Sequence, residues 1–480
     1  MKLHTTYKHN CCRYLKKTLF LFCFSILSIA AFSQSDTIRY EAGIATVAST
    51  GSYAPFWLHS DRYGKISSSP MSTLVFTGIE KQYTIAGKKF DYGFKAGAIV
   101  RTDYHKNEIF LNEIYAKARY AVFNIMAGSR EQIFGNQDST LSSGGLLFSK
   151  NARPMPEISV GIDNFTPVPF TFGLLELKGS IRQGWFTDNI YTRGIMLHHK
   201  FGYVRLGGKL PVHVQYGLEH VAQWGGTDPV TGPLPHGLKN FGRIFLAKSG
   251  GEDASLSDQI NVLGNHLISQ GFKVEADVAG IRVNGYWQNI SEDRPIKFIG
   301  SNEVNKPDGL WGISVKSNKF PFIKGVLYEL LNTTDQSGPY HDKDGLIYGG
   351  TDGYFGGAYP VGWSYYSRTI GTPFITSPLY NENGELSTTN NRVRLHHFGI
   401  EGSIEGFEYR ALASFSRNYG TYGSFVNIPN KSFLLEVNKH ISLLSGFDLS
   451  CAAGGDVGKF YGNSVGIMVS IRKTGFLFGY

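Results

Sequence analysis

Charged and amide side chains recur at every second position in several stretches of this chain, opposite apolar side chains. In 210–226, for example, Glu219 and Gln223 alternate with apolar residues. Carboxylates, guanidinium groups and amides hydrogen-bond sugars, so one interpretation is a polar surface for a charged or hydroxyl-rich ligand. The other interpretation is a salt-bridge network that fills a protein interior. The charged residues in this register are Lys95, Arg101, Asp103, Glu113, Lys117, Arg119, Arg182, Glu219, Lys273, Glu275, Asp277, Arg282, Glu408 and Arg410.

The segment 334–391 is a second candidate surface, because it is rich in glycine and aromatic residues. Aromatic faces stack on sugar rings, and a loop of this length is usually functional. An alternative interpretation is a plug or lid that packs on itself. The aromatic residues of this segment are Tyr348, Tyr354, Phe355, Tyr359, Trp363, Tyr365 and Tyr366.

No constellation of residues indicates catalysis. The sequence has no G-x-S-x-G turn and no serine, histidine and acid at the spacing of a known catalytic triad. The candidate parts of a hydrolase site are His220 beside Glu219, or His396-His397. No cluster of histidines and carboxylates indicates a metal, and we expect no cofactor. After residue 33 the chain keeps one cysteine, Cys451, which excludes an intrachain disulfide there.

Alternation with period two is the signature of β-strands, and the chain contains 18 such stretches. The longest connections, 133–155, 227–264 and 334–391, all follow odd-numbered strands, whereas turns after even-numbered strands are short. Long external loops and short periplasmic turns are typical of outer-membrane barrels. We therefore predict an all-β transmembrane antiparallel β-barrel of about 18 strands. These are 38–50, 71–85, 90–104, 109–121, 123–132, 156–165, 170–186, 191–206, 210–226, 265–278, 281–292, 309–317, 320–333, 392–404, 407–419, 431–441, 446–456 and 462–480.

The alternation also assigns side chains to faces. In 109–121, Phe110 and Ile114 fall on the apolar face, and Glu113 and Lys117 fall on the polar face. A barrel in lipid turns its apolar face outward, whereas a soluble sandwich turns it inward, so alternation alone fits both.

The two ends of the chain favour the barrel. Residues 1–33 have a basic start, an apolar core of 14 residues and small residues before a cleavage site, which predicts a signal peptide and a mature barrel over 34–480. The last strand carries Gly475, Phe478 and a terminal Tyr480, an arrangement that resembles the C-terminal signal read by the barrel insertion machinery. We expect a bacterial outer-membrane location, with outer-membrane lipid as a partner.

Net charge gives no argument for nucleic acid. The formal charge is +9, and five of the basic residues lie in the predicted signal peptide. No apolar run after it approaches the roughly 20 residues that a membrane helix needs.

Several motifs resemble the capsule assembly Wzi family, in particular its members from Bacteroidetes. They are Gly128-Ser129-Arg130-Glu131-Gln132-Ile133-Phe134-Gly135, Asn151-Ala152-Arg153-Pro154-Met155-Pro156, Ala222-Gln223-Trp224-Gly225-Gly226, 257–266, Trp363-Ser364-Tyr365 and Arg368-Thr369-Ile370-Gly371. The resemblance implies an 18-stranded outer-membrane barrel with a lectin-like role in holding capsular polysaccharide on the cell surface, and no catalysis. Enterobacterial members begin with a helical plug, whereas residues 34–50 here read as strand, so that plug is absent or replaced.

The matched residues suggest roles in binding polysaccharide. The guanidinium of Arg153 suits a uronic acid carboxylate, or it pairs with a loop or lumen carboxylate. Asn151 precedes it in the same motif. Gln223 faces the lumen and can bond hydroxyls, whereas Trp224 faces lipid, where a membrane-belt role is favoured over sugar stacking.

We therefore predict these residues to bind polysaccharide: Arg101, Arg119, Asn151, Arg153, Glu219, Gln223, Trp224, Trp363 and Tyr365. One alternative function is a porin or channel for polysaccharide or small solutes, which predicts an open lumen. A second alternative is an outer-membrane hydrolase such as a lipase.

Overall fold

Eighteen antiparallel strands form one closed barrel. The computed structural model describes residues 37–84, 89–260, 262–292, 308–336, 341–343, 346–348, 353–357, 359–381, 383–442 and 446–478. Each strand pairs with its neighbours in sequence, and the last strand pairs with the first, with Gly475 opposite Tyr40. Closure leaves no unpaired sheet edge, which is the condition for a sheet to stand in lipid. The predicted signal peptide 1–33 and Tyr480 lie outside the described residues.

All 18 predicted strands are confirmed, with shifts at their ends. We number the barrel strands in chain order: β1 Ile38–Ser49, β2 Met71–Lys81, β3 Phe90–Asp103, β4 Asn107–Tyr120, β5 Phe123–Ser129, β6 Pro156–Pro167, β7 Leu175–Trp185, β8 Met196–Leu206, β9 Val212–Trp224, β10 Asn265–Val278, β11 Ile281–Glu292, β12 Gly309–Ser317, β13 Gly325–Asn332, β14 Val393–Ile404, β15 Phe407–Gly420, β16 Phe425–Ile441, β17 Phe447–Gly458 and β18 Ser464–Phe478.

The connections alternate in length around the barrel. Even-numbered strands end in short turns, two of which, Ala279-Gly280 and Glu405-Gly406, hold both residues at positive φ, the type I′ geometry that suits a twisted hairpin. The longest loops all lie at the other end, which we call the extracellular end. The helices are Phe56–His59, Gly237–Phe245 and Leu256–Ile260, with a 3₁₀ turn at Pro378–Tyr380. Among the described residues, no helix has the length and apolar character to cross a membrane.

The faces of the strands follow the predicted alternation, with one correction. Exposed apolar residues such as Ile109, Val160 and Ile313 cover the outside of the barrel. Phe110 was expected on this face, but a β-bulge at Asn112 shifts the register between β3 and β4. The inserted residue reverses the alternation, and Phe110 therefore turns inward and packs beside the interior core.

Three loops from the extracellular end fold into the barrel, and we call them the plug loops: 50–70, 130–155 and the described part of 333–392. Their apolar residues share one buried core with the extracellular half of the inner wall. Leu58, Leu146 and Phe374 each come from a different plug loop and are at most 1% exposed. The interior is thus largely apolar where the plug lies, with a few buried charged groups such as Glu329 and Arg368 that are hydrogen-bonded. Small ribbons at Ser364–Tyr365 with Arg368–Thr369, His341–Lys343 with Leu346–Tyr348, and Thr227–Asp228 with Gly232–Pro233 complete the described strands.

Candidate functional site

Hydrogen bonds from the barrel wall hold the plug loops in place. The carboxylate of Glu329 on β13 is fully buried and accepts bonds from Ser142 Oγ (2.7 Å) and Ser143 N (2.6 Å) of loop 130–155. His397 on β14 bonds the carbonyl of Leu141 through Nε2 at 2.7 Å. A buried carboxylate is stable only with such donors, so these contacts fix the depth and orientation of the loop in the barrel.

A cluster of cations surrounds one carboxylate at the extracellular end, close to the β3–β4 turn. Arg101 bonds Glu108 directly, Arg153 Nη2 lies 3.0 Å from Glu108 Oε2, and Lys106 Nζ lies 2.8 Å from Glu108 Oε1. Three positive charges therefore meet one negative charge. We call Arg101, Lys106, Glu108 and Arg153 the rim cluster.

Aromatic rings flank the central arginine of the rim cluster. The Arg153 guanidinium carbon lies 3.7 Å from the centre of the Phe110 ring and 4.3 Å from that of Tyr366, a cation–π arrangement that holds the guanidinium plane. Burial, followed by repulsion from Arg101, lowers the pKa of Arg153 from its ordinary value. The cluster is accessible through Lys106, whose side chain is 57% exposed, and through Tyr366, which is 37% exposed.

Three residues expected to bind sugar are parts of the plug, and a fourth, Gln223 on β9, bonds the plug from the wall. Asn151 Nδ2 donates to Thr369 O at 3.1 Å, and Gln223 Nε2 donates to Gly362 O at 2.9 Å. Trp363 is 1% exposed, and Tyr365 is buried with its hydroxyl 2.5 Å from Thr187 Oγ1. The alternative interpretation of segment 334–391, a plug packed on itself, describes these aromatic residues, because their faces are covered by the core.

Three other predicted residues lie apart from the rim cluster. Glu219 is buried on the inner wall, where it accepts a bond from Tyr203. Arg119 lies at the short-turn end of β4, beside Asp91 at 3.6 Å. Trp224 is 5% exposed, so the expected membrane-belt position is wrong. It packs with Ile244 and Leu263, which fold back over the outside of the barrel. Of the predicted residues, Arg101 and Arg153 come together in the rim cluster.

Two cavities lie at the opposite end of the barrel from the rim cluster. Two adjoining spaces of about 810 and 720 Å³ open below the plug and share Glu408 and Asn438 in their linings. Arg62 of the plug bonds Glu436 of the wall at 2.6 Å above them. These cavities form a vestibule of mixed charge on the short-turn side.

Sequence reasoning missed the other members of the rim cluster. Lys106 and Glu108 flank the start of β4, only five and seven residues after Arg101, and the hairpin turn between them brings all three together. Their spacing across a short turn could have predicted that the three charged side chains meet. Nothing in the sequence marked Tyr366 as a member of the site, because only the folding of its loop brings its ring against the Arg153 guanidinium.

Comparison with known proteins decides the family. A family model for capsule assembly protein Wzi matches residues 77–375, more than half of the chain. The chain belongs to the Wzi family. The match spans the rim cluster, loop 130–155 and loop 333–392 as far as residue 375. No curated protein sequence matches the chain significantly.

The fold agrees with this assignment. The Wzi-family barrel described here is similar to a solved structure of Escherichia coli Wzi, with a TM-score of 0.57 and 12% identity, over 92% of this chain and 84% of that one. That protein is described as an outer-membrane protein involved in group 1 capsule assembly and as a carbohydrate-binding β-barrel. OccAB2 of Acinetobacter baumannii reaches a TM-score of 0.48 at 9% identity, over 93% of this chain and all of that one, a likeness too weak to carry an argument.

Proposed function

We propose that this Wzi-family protein is a lectin-like outer-membrane barrel that binds capsular polysaccharide and helps to attach the capsule to the cell surface. Family membership supports the capsule role, and the carbohydrate binding described for the Escherichia coli protein supports the ligand class. Export by a cleaved signal peptide and insertion by the barrel assembly machinery belong to the same proposal. The proposal assigns no catalytic step to the protein.

The rim cluster is the observation that carries the proposal for this chain. Its cations outnumber its single carboxylate by three to one, and it lies at the extracellular end. A guanidinium binds a sugar carboxylate with two parallel hydrogen bonds, and the part of the Tyr366 ring that Arg153 and Tyr365 leave uncovered offers a sugar an apolar surface. The cluster thus suits a polysaccharide that contains uronic acids or other acidic sugars.

The channel alternative is less well supported. A channel needs a continuous aqueous path, whereas three plug loops share one apolar core across the lumen. We expect the purified protein to give no steady ion conductance in a planar bilayer. A steady open conductance would favour the channel, and polysaccharide would then pass through the barrel instead of binding at its rim.

Binding of purified capsular polysaccharide to the detergent-solubilised protein tests the proposal. We expect Arg153→Gln to weaken binding about tenfold or more, because it removes a charge-assisted contact of roughly 1.5–3 kcal/mol. The matched control is Arg119→Gln, which removes an arginine from the other end of the barrel and should leave binding unchanged.

A second variant should change the affinity for polysaccharide in the opposite direction. Glu108 occupies the donors that an acidic sugar needs, so Glu108→Gln should strengthen binding by freeing Arg101 and Arg153. Damage to the fold would weaken binding in both variants, and opposite effects therefore identify the rim cluster as the site. Equal affinity in Arg153→Gln, Glu108→Gln and the unmodified protein would contradict the assignment.

A further inference from the structure

A second cationic surface lies on the outside of the barrel, where the chain faces lipid. Side chains on β14–β16 that point outward near the extracellular end line a groove of about 360 Å³. Three of them are basic: Arg394, Arg417 and Lys431 are all exposed. No carboxylate lines the groove, and among the described residues none of the three side chains has an ion pair or a hydrogen bond.

Two of these cations are placed against each other. Arg394 and Arg417 are direct partners in the register between β14 and β15, and Lys431 faces Phe415 one step further from the extracellular end. Like charges directly opposite on a sheet are destabilising. An anion between the two guanidinium groups would relieve this repulsion, and no carboxylate of the groove lining supplies one.

The depth of the groove indicates where that anion comes from. The next rows towards the membrane centre carry Phe398, Phe415 and Phe433, which are exposed and form a chain of edge contacts with ring centres 6.2 and 5.9 Å apart. Aromatic residues concentrate at the interface between lipid head groups and acyl chains. Arg394 and Arg417 lie one row nearer the extracellular end than Phe415, and Lys431 lies in the row of Phe415 itself, which places the three cations at the depth of the head groups of the outer leaflet.

We infer that Arg394, Arg417 and Lys431 form a binding site for the phosphate groups of a phosphorylated lipid in the outer leaflet. A phosphate carries up to two negative charges, and guanidinium groups bind it with paired hydrogen bonds. Phosphate between Arg394 and Arg417 turns their repulsion into attraction, and the acyl chains pack on the phenylalanines below. This site is on the outside of the barrel and does not depend on polysaccharide binding at the rim cluster.

Thermal unfolding of the protein in nanodiscs tests this site. The discs contain phosphatidylcholine alone, phosphatidylcholine with bisphosphorylated lipid A, or phosphatidylcholine with dephosphorylated lipid A. We expect lipid A to raise the unfolding midpoint and its dephosphorylated form to have little effect. The triple variant Arg394→Gln, Arg417→Gln, Lys431→Gln should lose most of the rise.

Two comparisons separate binding from a general effect of charge or folding. The control Lys239→Gln, Lys248→Gln, Lys459→Gln removes three exposed cations from the same end of the barrel and should keep the rise. In phosphatidylcholine alone, the triple variant of the groove should be at least as stable as the unmodified protein, because the repulsion between Arg394 and Arg417 is gone.

Three results would overturn the inference. One is an undiminished rise in the triple variant, and another is an equal rise with dephosphorylated lipid A. The third is a stabilisation by soluble acidic polysaccharide, absent with lipid A, that the triple variant removes. That result would make the groove a polysaccharide site.

Discussion

Glu329 gives the sharpest test of the plug, because one buried carboxylate holds two donors of loop 130–155. It accepts from Ser142 Oγ and Ser143 N, and from Tyr286 OH of the wall at 2.5 Å. A hydrogen bond to a charged group contributes about 1.5–3 kcal/mol. Glu329→Ala removes two such bonds to the loop, and water that enters recovers part of the loss. We estimate that opening of the segment becomes easier by roughly 3 kcal/mol.

Amide hydrogen exchange measures this opening directly. Because about 1.4 kcal/mol is a factor of ten, the peptide that contains Leu141 and Ser143 should exchange about 100-fold faster in Glu329→Ala. Glu329→Gln retains one acceptor oxygen and should give an intermediate increase. Peptides from the barrel strands should keep their protection, because their ladder bonds are intact.

The matched control removes a buried carboxylate that bonds only the wall. Asp91 of β3 is buried beside Lys81 and Arg119 of the wall, so Asp91→Ala should leave exchange in the loop unchanged. Unchanged exchange in Glu329→Ala would refute the reasoning, as would equal acceleration in both variants. Either result would mean that Glu329 does not hold the plug.

Three further predictions concern the plug, pH and assembly. Trp363→Ala should destabilise the plug by about 3–5 kcal/mol, since it leaves a large cavity in a close-packed core, and should produce conductance in planar bilayers where the unmodified protein is silent. Burial raises the pKa of Asp308 in the folded protein to about 7. Because the carboxyl then holds its proton more tightly in the folded than in the unfolded state, it stabilises the fold at low pH, and this contribution is lost as the pH rises to about 7. The unfolding midpoint should therefore fall between pH 5 and 8 more in the unmodified protein than in Asp308→Asn, and parallel curves would contradict this. Deletion of Gly475–Tyr480 should block insertion into the outer membrane, as measured by fractionation, because β18 closes the barrel against β1; normal insertion would contradict the closure argument.

The barrel could be predicted from the sequence because its signal is local. Each strand must alternate to face lipid and interior, so the period appears in every stretch, and the β10 and β11 boundaries agree to the residue. Local reasoning failed at Phe110, because one inserted residue reverses the faces and nothing in the alternation of β4 alone marks the bulge.

The candidate site was predicted only in part, because it depends on how loops fold. Apolar and aromatic residues in an external loop suit a sugar-binding surface and a packed plug equally well, and Trp363 and Tyr365 proved to be core. Arg153 was found because it stands in a motif that resembles the Wzi family and because a guanidinium suits a sugar carboxylate. Its partner Glu108 is 45 residues away in the sequence, and no pattern joined the two.

The central claim is that this Wzi-family barrel holds capsular polysaccharide at the cell surface through its rim cluster. The most direct measurement is the partition of capsule between cells and medium in an in-frame deletion strain, complemented with the unmodified gene or with Arg153→Gln. We expect total polysaccharide to stay constant while it shifts to the medium in the deletion strain and in the Arg153→Gln strain. Normal amounts in both pools of the deletion strain would contradict the account.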